Sequence, residues 1–356
     1  MPLNLLVLEG DGIGPEISAA TEAVLAAADA RFGLGLSFSR AVIGFDALAQ
    51  HGTTFPDVTW KACQAADGIV LGPVSHNDYP PKAQGGLNPS GELRIRLDLF
   101  ANIRPARTHT GVPHPSRHEF DLVIVRENTE GFYADRSMFV GPGEFMPTPD
   151  VALATRKVTR QASLRIAEQA FVLAGQRRKK VTAIHKSNVM RISDGLFLEC
   201  MRQVRARYPE IDYEEQLVDA MAALLVRDAS KFDVVVATNM FGDILSDEAA
   251  ELAGGLGLAA SLNAGAERAV AQAQHGSAPS IAGKDIANPC SLIVSASMLL
   301  AWLGERQGRA SLVDAARRIE VAVDEAIADP ATRTTDLGGL LGTSAFADIV
   351  AEKVRA

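Results

Sequence analysis

Short β-branched apolar runs alternate along this chain with long alanine-rich amphipathic stretches, and that alternation restricts it to an α/β architecture. Leu3 to Leu8, Gly68 to Leu71, Leu122 to Val125, Val181 to His185 and Val234 to Ala237 read as buried strands. Each is followed by polar residues and then by a helical or loop segment. Strand, polar loop, helix is the grammar of a parallel sheet, whose ligands sit beyond the carboxyl ends of the strands. Gly10-Asp11-Gly12-Ile13-Gly14-Pro15 breaks the first strand, and Pro15 opens a helix that continues from Glu16 to Ala30. Ala310 to Ala328 predicts the last clear helix. Phe132 to Pro149 and the Gly-rich Ser261 to Pro289 interrupt the rhythm. The first reads as a surface loop or an arm reaching a neighbour, the second as loop and not core.

Length and charge bound the function. The chain has 356 residues, enough for roughly two domains. Hydrophobic residues at 47% leave ample material for a core. The net charge of −8 excludes the basic footprint of a nucleic-acid or anionic-membrane binder, although a local arginine cluster can still bind an anion. Cys63, Cys200 and Cys290 are too scattered for a disulfide framework or a CxxC metal site and read as reduced thiols. No basic segment precedes the first apolar run, so no signal peptide is expected, and no run is long enough to span a membrane. A cytoplasmic protein is expected.

Four clusters carry possible chemistry. Gly10, Gly12 and Gly14 imitate a dinucleotide fingerprint, but the third Gly comes one residue early for G-x-G-x-x-G, and a tight turn is the plainer reading. Arg94, Arg96 and Arg104 fall within eleven positions, and Arg126 ends the strand Leu122 to Val125. Arg96 stands four residues after Glu92, the spacing of a surface ion pair. Arg104 and Arg126 have no obvious local partner, and those two and Arg94 suit bidentate binding of an acid. Asp243 and Asp247 share one face of a helix that follows the strand Val234 to Ala237, where they repel unless something positive sits between them. They either compensate the helix dipole or, with Asp219 as a possible third ligand, hold Mg²⁺ or Mn²⁺. Lys186 ends the strand from Val181 and is either solvated or a base near substrate. The seven histidines show no zinc spacing.

Read together, these clusters make the chain resemble the β-decarboxylating dehydrogenases of isocitrate, 3-isopropylmalate, homoisocitrate and tartrate. The likeness runs through Gly10-Asp11-Gly12-Ile13-Gly14-Pro15-Glu16, Leu97 to Pro105, and Val125-Arg126-Glu127-Asn128-Thr129-Glu130-Gly131. It continues through His185-Lys186-Ser187-Asn188, Val218-Asp219-Ala220-Met221, Asn239 to Asp247, His275 to Gly283 and Ala287-Asn288-Pro289. The resemblance implies an open α/β sheet of that family's own type, with an active-site cleft between two domains. Residues 1–100 and 253–356 would form the large, cofactor-binding domain. Residues 101–252 would form the small one, with the dimer interface and an arm at about 132–150.

By the same resemblance, Arg94, Arg104 and Arg126 hold the malate carboxylates, with Ser90, Asn88 and Asn188 also facing substrate. Tyr133 is the general acid, and Lys186 and Asp219 act catalytically in the partner subunit's site. Asp219, Asp243 and Asp247 are the metal ligands. Ile13, His275, Gly276, Ser277, Ala278, Ser280, Ile281 and Asn288 bind the dinucleotide. The implied cofactors are NAD and Mg²⁺ or Mn²⁺, and the implied assembly is a homodimer with shared sites.

Two departures bear on specificity. Ser280-Ile281 replaces both the Asp of NAD-using relatives and the Lys-Tyr of NADP-using ones; without a cation to meet a 2′-phosphate, NAD is expected. Asn88, Ser90 and Gly91 stand where isopropylmalate enzymes bury an alkyl group, which favours a polar or very small substituent. Asn239 to Asp243 nevertheless sides with the isopropylmalate branch, and Arg126 to Gly131 with isocitrate and homoisocitrate. A non-catalytic regulatory subunit is the alternative from another class; the joint presence of Tyr133, Lys186, Asp219, Asp243 and Asp247 weighs against it. A solute-binding protein would need an export signal.

Overall fold

The computed structural model describes residues 2–133, 138, 140–141 and 143–356. In chain order its main elements begin β1 (Leu3–Leu8), α1 (Gly14–Phe32), β2 (Leu36–Arg40), α2 (Gly44–His51), α3 (Asp57–Ala65), β3 (Gly68–Leu71) and α4 (Pro89–Arg96). The middle comprises β4 (Ala101–Arg107), β5 (Asp121–Glu127), β6 (Glu144–Thr148), β7 (Val151–Ala154), α5 (Arg160–Gly175), β8 (Lys180–His185) and α6 (Ser193–Arg205). Then come β9 (Asp212–Leu217), α7 (Val218–Asp228), β10 (Val234–Ala237), α8 (Asn239–Ala253), β11 (Leu262–Ala264) and β12 (Ala269–Gln272). Helices α9 (Cys290–Gln307), α10 (Ala310–Ala328) and α11 (Thr343–Arg355) close the chain.

Ten strands form one sheet in the order β2-β1-β3-β12-β11-β4-β5-β10-β8-β9. The five strands read from the sequence are all present, and each buries its apolar run because helices cover both faces. The sheet is nevertheless mixed and not parallel throughout. β4 runs antiparallel to both β5 and β11, and β11 antiparallel to β12. The cause is visible in β4, whose Asn102 and Arg104 are buried polar residues: a strand built on polar positions carries no apolar periodicity to read.

The segment from Ser261 to Pro289 is likewise not all loop. β11 and β12 lie at the centre of the sheet, with Ser261 and Asn263 buried among hydrogen-bonding partners. The arm region contains the two-stranded β6–β7 hairpin, while residues 134–137, 139 and 142 of the proposed arm fall outside the described residues. Four apolar side chains of that hairpin, Phe145, Met146, Val151 and Leu153, are exposed.

The two chain ends share one core, in which α1, α9, α10 and α11 pack together over β1 and β12. Middle-segment residues form two further cores, one under α5 and α6 and one under α7 and α8. Buried Arg333 ties the C-terminus of α10 by donating to the carbonyls of Ile327, Ala328 and Gly111. No helix among the described residues is long and apolar enough to cross a membrane.

Candidate active site

A cleft of about 310 Å³ opens where β4, β5, β12, α4 and α8 converge. Arg94, Arg104, Arg126, Tyr133, Asp243 and Asp247 all line it, as do Asn88, Ser90, His275 and Gly276. Four stretches far apart in sequence therefore meet at one surface.

Local folding explains how each group is aimed. Asn88 caps α4 by accepting from the Gly91 backbone N–H at 3.2 Å, which fixes the first turn that carries Ser90 and, one turn on, Arg94. Arg104 and Arg126 project from the antiparallel pair β4–β5 and are 6% and 2% exposed. α8 begins at Asn239, four residues before Asp243, so both acids stand in its first two and a half turns. Gly242 lets α8 approach closely: a Cβ there would lie 2.8 Å from the Arg126 side chain.

Arg104 and Arg126 have partners after all, and their acidic ones are distant in sequence. Arg104 Nη1 donates to Asp243 at 3.0 Å and to Ser246 Oγ at 2.7 Å, and lies 3.4 Å from Asp247. Arg126 donates to Asp243, and its Nε and Nη2 donate to Asn239 Oδ1 at 2.9 and 2.6 Å. The positive group required between the two acids is thus a guanidinium. Burial, and then the charge of Arg104, pull the Arg126 pKa down to about 10, with Asp243 acting in the opposite direction; the group stays cationic at neutral pH. The Arg126 guanidinium also lies 5.9 Å from the centre of the Tyr133 ring.

Lys186, Asn188 and Asp219 are not in this cleft. Lys186 Nζ donates to Asp219 at 2.6 Å where β8 and α7 meet, and that hydrogen bond holds the Asp219 carboxyl below its ordinary pKa. Among the described residues no three His, Cys, Asp or Glu side chains cluster as a metal site. One chain therefore offers two hard oxygen donors, Asp243 and Asp247, and displays a third elsewhere on its surface. Arg96 pairs with Glu92 at 2.7 Å, as its spacing predicts.

The loop after β12 completes the cleft. Ser277 is clamped against the first turn, where its carbonyl accepts from the Ile13 N–H at 2.9 Å. A Cβ on Gly12 would lie 2.0 Å from that carbonyl, so only glycine permits the contact. Ala278 takes a left-handed φ of +39°. His275 Nδ1 meets the Gly276 carbonyl at 2.9 Å, its Nε2 is buried without a hydrogen-bond partner, and burial lowers its pKa. A neutral ring with an orphaned acceptor suits an incoming donor, which fits a nucleotide base. Asn288 donates to Asp336 at 2.9 Å beneath the loop. Ser280 is exposed and Ile281 partly so; Lys284 Nζ reaches the Ser280 carbonyl at 2.8 Å, so a cation does stand beside this loop.

Several site residues escaped the sequence reading. Gln272 and Gln274 line the cleft, and Gln274 donates to Asp247 at 2.8 Å. Their position beside the His275 segment was the available signal. Buried Asp194 holds the Lys186 backbone N–H and pairs with Arg156, which also donates to Thr238 at the start of α8. Asp11 accepts from the Ser75 and Phe45 backbone N–H groups, both at about 2.8–2.9 Å, and from Tyr79; Ser75 in turn meets Ser277 at 2.7 Å. Burial, and then Asp11, push the Tyr79 phenol upward in pKa.

Comparison with known proteins agrees with this geometry. The family model described as isocitrate/isopropylmalate dehydrogenase matches residues 4–350. The chain is 41% identical to 3-isopropylmalate dehydrogenase of Archaeoglobus fulgidus, covering 98% of each chain. It is also 41% identical to the isocitrate/homoisocitrate dehydrogenase of Thermus thermophilus, covering 100% of this chain and 99% of that one. The crystal structure of isocitrate dehydrogenase from Methylococcus capsulatus superposes with a TM-score of 0.87 at 39% identity, covering 99% of this chain and 100% of the other. The chain belongs to the isocitrate/isopropylmalate dehydrogenase family and is a dehydrogenase.

Proposed function

We propose that the protein catalyses the NAD-dependent oxidative decarboxylation of a 3-substituted malate to a 2-oxoacid and CO₂, with Mg²⁺ or Mn²⁺. One observation carries this reading: three arginines, two aspartates and a phenol converge on a single small cleft. Arg94, Arg104 and Arg126 bind and orient the malate carboxylates, which their fixed donor forks match. Asp243 and Asp247 supply oxygen ligands for the divalent cation, which when bound would stabilise developing negative charge on the substrate carbonyl oxygen. The loop from His275 to Ile281, with Ile13 and Asn288, holds the dinucleotide, which when bound accepts the hydride. Tyr133 delivers a proton to the product carbon.

Lys186, Asn188 and Asp219 lie outside the cleft of their own chain, so the reading requires a homodimer in which each chain lends them to its partner's site. The exposed apolar side chains of β6–β7 and of Val189 and Ile192 suit such an interface. Residues 1–100 and 253–356, which share a core, would then form the large domain and 101–252 the small one.

The substituent on the malate is proposed to be polar or small, because Asn88, Ser90 and Gly91 form that wall. NADP is a second reading for the cofactor, favoured by Lys284 beside Ser280. A panel of isocitrate, homoisocitrate, 3-isopropylmalate, tartrate and malate, run with NAD and NADP in turn, tests the proposal. Turnover of none of them would overturn it.

A further inference from the structure

We propose that Gln272 selects the C3 substituent of the substrate by presenting its amide N–H group to the cleft, in a polarity imposed from Arg104. The inference rests on the malate reading above and adds which substituent is accepted: one that carries a carboxylate.

The polarity follows from a chain of hydrogen bonds beneath the cleft. A guanidinium can only donate, so Asn102 must turn its Oδ1 toward Arg104 Nε. Asn102 Nδ2 then donates to Asn263 Oδ1 at 3.1 Å and to Ser261 Oγ at 2.7 Å. A second anchor agrees. The Leu99 carbonyl can only accept, so Asn128 turns its Nδ2 that way at 2.9 Å, and the same Nδ2 donates to Asn263 Oδ1 at 3.0 Å. With its oxygen fixed twice over, Asn263 offers Nδ2 to Gln272 Oε1 at 3.2 Å. The Ser90 hydroxyl donates to the same Oε1 at 3.0 Å.

Gln272 Oε1 is therefore held by two donors, and Nε2 is the end left for the cleft that Gln272 lines. Among the described residues no protein acceptor meets that Nε2. Turning the amide over would set a donor against the Asn263 donor and break the series back to Arg104; the Ser90 hydroxyl follows either polarity, and the Asn263 amide imposes this one. Neighbouring Asn88 has the same polarity, because its Oδ1 is engaged with the Gly91 N–H and its Nδ2 is the outward end. This wall thus faces the cleft with amide donors. An alkyl substituent would leave those donors desolvated and unmatched, whereas a carboxylate, which only accepts, satisfies them.

The test compares isocitrate with 3-isopropylmalate on the Mg²⁺-loaded wild type, Gln272→Met and Gln272→Glu. It measures kcat/KM for each substrate, KM for NAD, and calorimetric binding of each substrate without NAD. Gln272→Met is expected to lose roughly 10- to 100-fold in kcat/KM for isocitrate, with a parallel loss of calorimetric affinity. Turnover of 3-isopropylmalate should hold or rise, because the unmatched donor is removed, and KM for NAD should not move. Gln272→Glu, which places an anion against the substituent, should lose more on isocitrate, and it serves as the test if the Met variant fails to fold. Equal losses on both substrates, or a rise confined to the KM for NAD, would overturn the assignment. Wild-type turnover of 3-isopropylmalate alone would overturn it while leaving the malate reading intact. Neither turnover nor binding of either compound would overturn both.

Discussion

Arg104 donates from one Nη1 to Asp243 at 3.0 Å across the floor of the cleft, and the same nitrogen lies 3.4 Å from Asp247. Two carboxylates four residues apart on α8 would otherwise repel, and the guanidinium between them neutralises that repulsion. Its other bonds, to Asn102 and Ser246, hold it in place. A lysine would keep the charge but could not make the forked set. Arg104→Lys is therefore expected to lower kcat/KM for the hydroxyacid by about 100-fold or more, with KM for NAD little changed. Steady-state kinetics with each substrate varied in turn would check this, and an unchanged kcat/KM would remove Arg104 from the binding set.

Asp243→Asn is expected to abolish turnover without unfolding the protein. Buried Arg126 loses an ionic partner but keeps two bonds to Asn239, and Asp243 itself is 34% exposed, so the fold tolerates the change. Circular dichroism melting and assay at saturating Mg²⁺ separate the two effects. Normal turnover would contradict the metal assignment.

For Tyr133→Phe the expected loss falls more on decarboxylation than on oxidation. The ring and its contact with Arg126 remain, and only the hydroxyl is removed. NADH should then form in excess of CO₂; equal loss of both would argue against the acid role.

Much of this cleft was legible in the sequence because many of the groups that line it are charged and sit in short ordered strings, such as Arg94 to Arg104 or Asp243 to Asp247. The supporting residues were not legible. Asn102, Asn263 and Gln272 are neutral amides, and the hydrogen bonds that join them exist only once β4, β11 and β12 are side by side. The antiparallel centre of the sheet was hidden for the same reason. Arg104 and Arg126 looked unpaired because the acid they share, Asp243, lies more than a hundred residues away.

Acid sensitivity has one identifiable source at the α10 surface. Burial alone would raise the Asp324 pKa, but hydrogen bonds from His109 and Arg107 outweigh it and hold the carboxyl below its ordinary value. A depressed folded pKa gives stability that is present above the unfolded pKa of about 3.9 and is lost as pH falls through the folded one. Nearby Glu320 acts oppositely: burial raises its pKa, so its contribution is present at low pH and fades as pH rises through the raised value. Urea midpoints of Asp324→Asn should therefore fall less steeply than wild type below about pH 5. Parallel curves would contradict this.

The most direct measurement is the stoichiometry of products from isocitrate and NAD with Mg²⁺, followed as NADH by absorbance and as CO₂ by trapping. Equal amounts of NADH, CO₂ and a 2-oxoacid, with formation of all three lost when the metal is chelated, are expected of a β-decarboxylating dehydrogenase. NADH without CO₂, or full turnover in the presence of chelator, would contradict it.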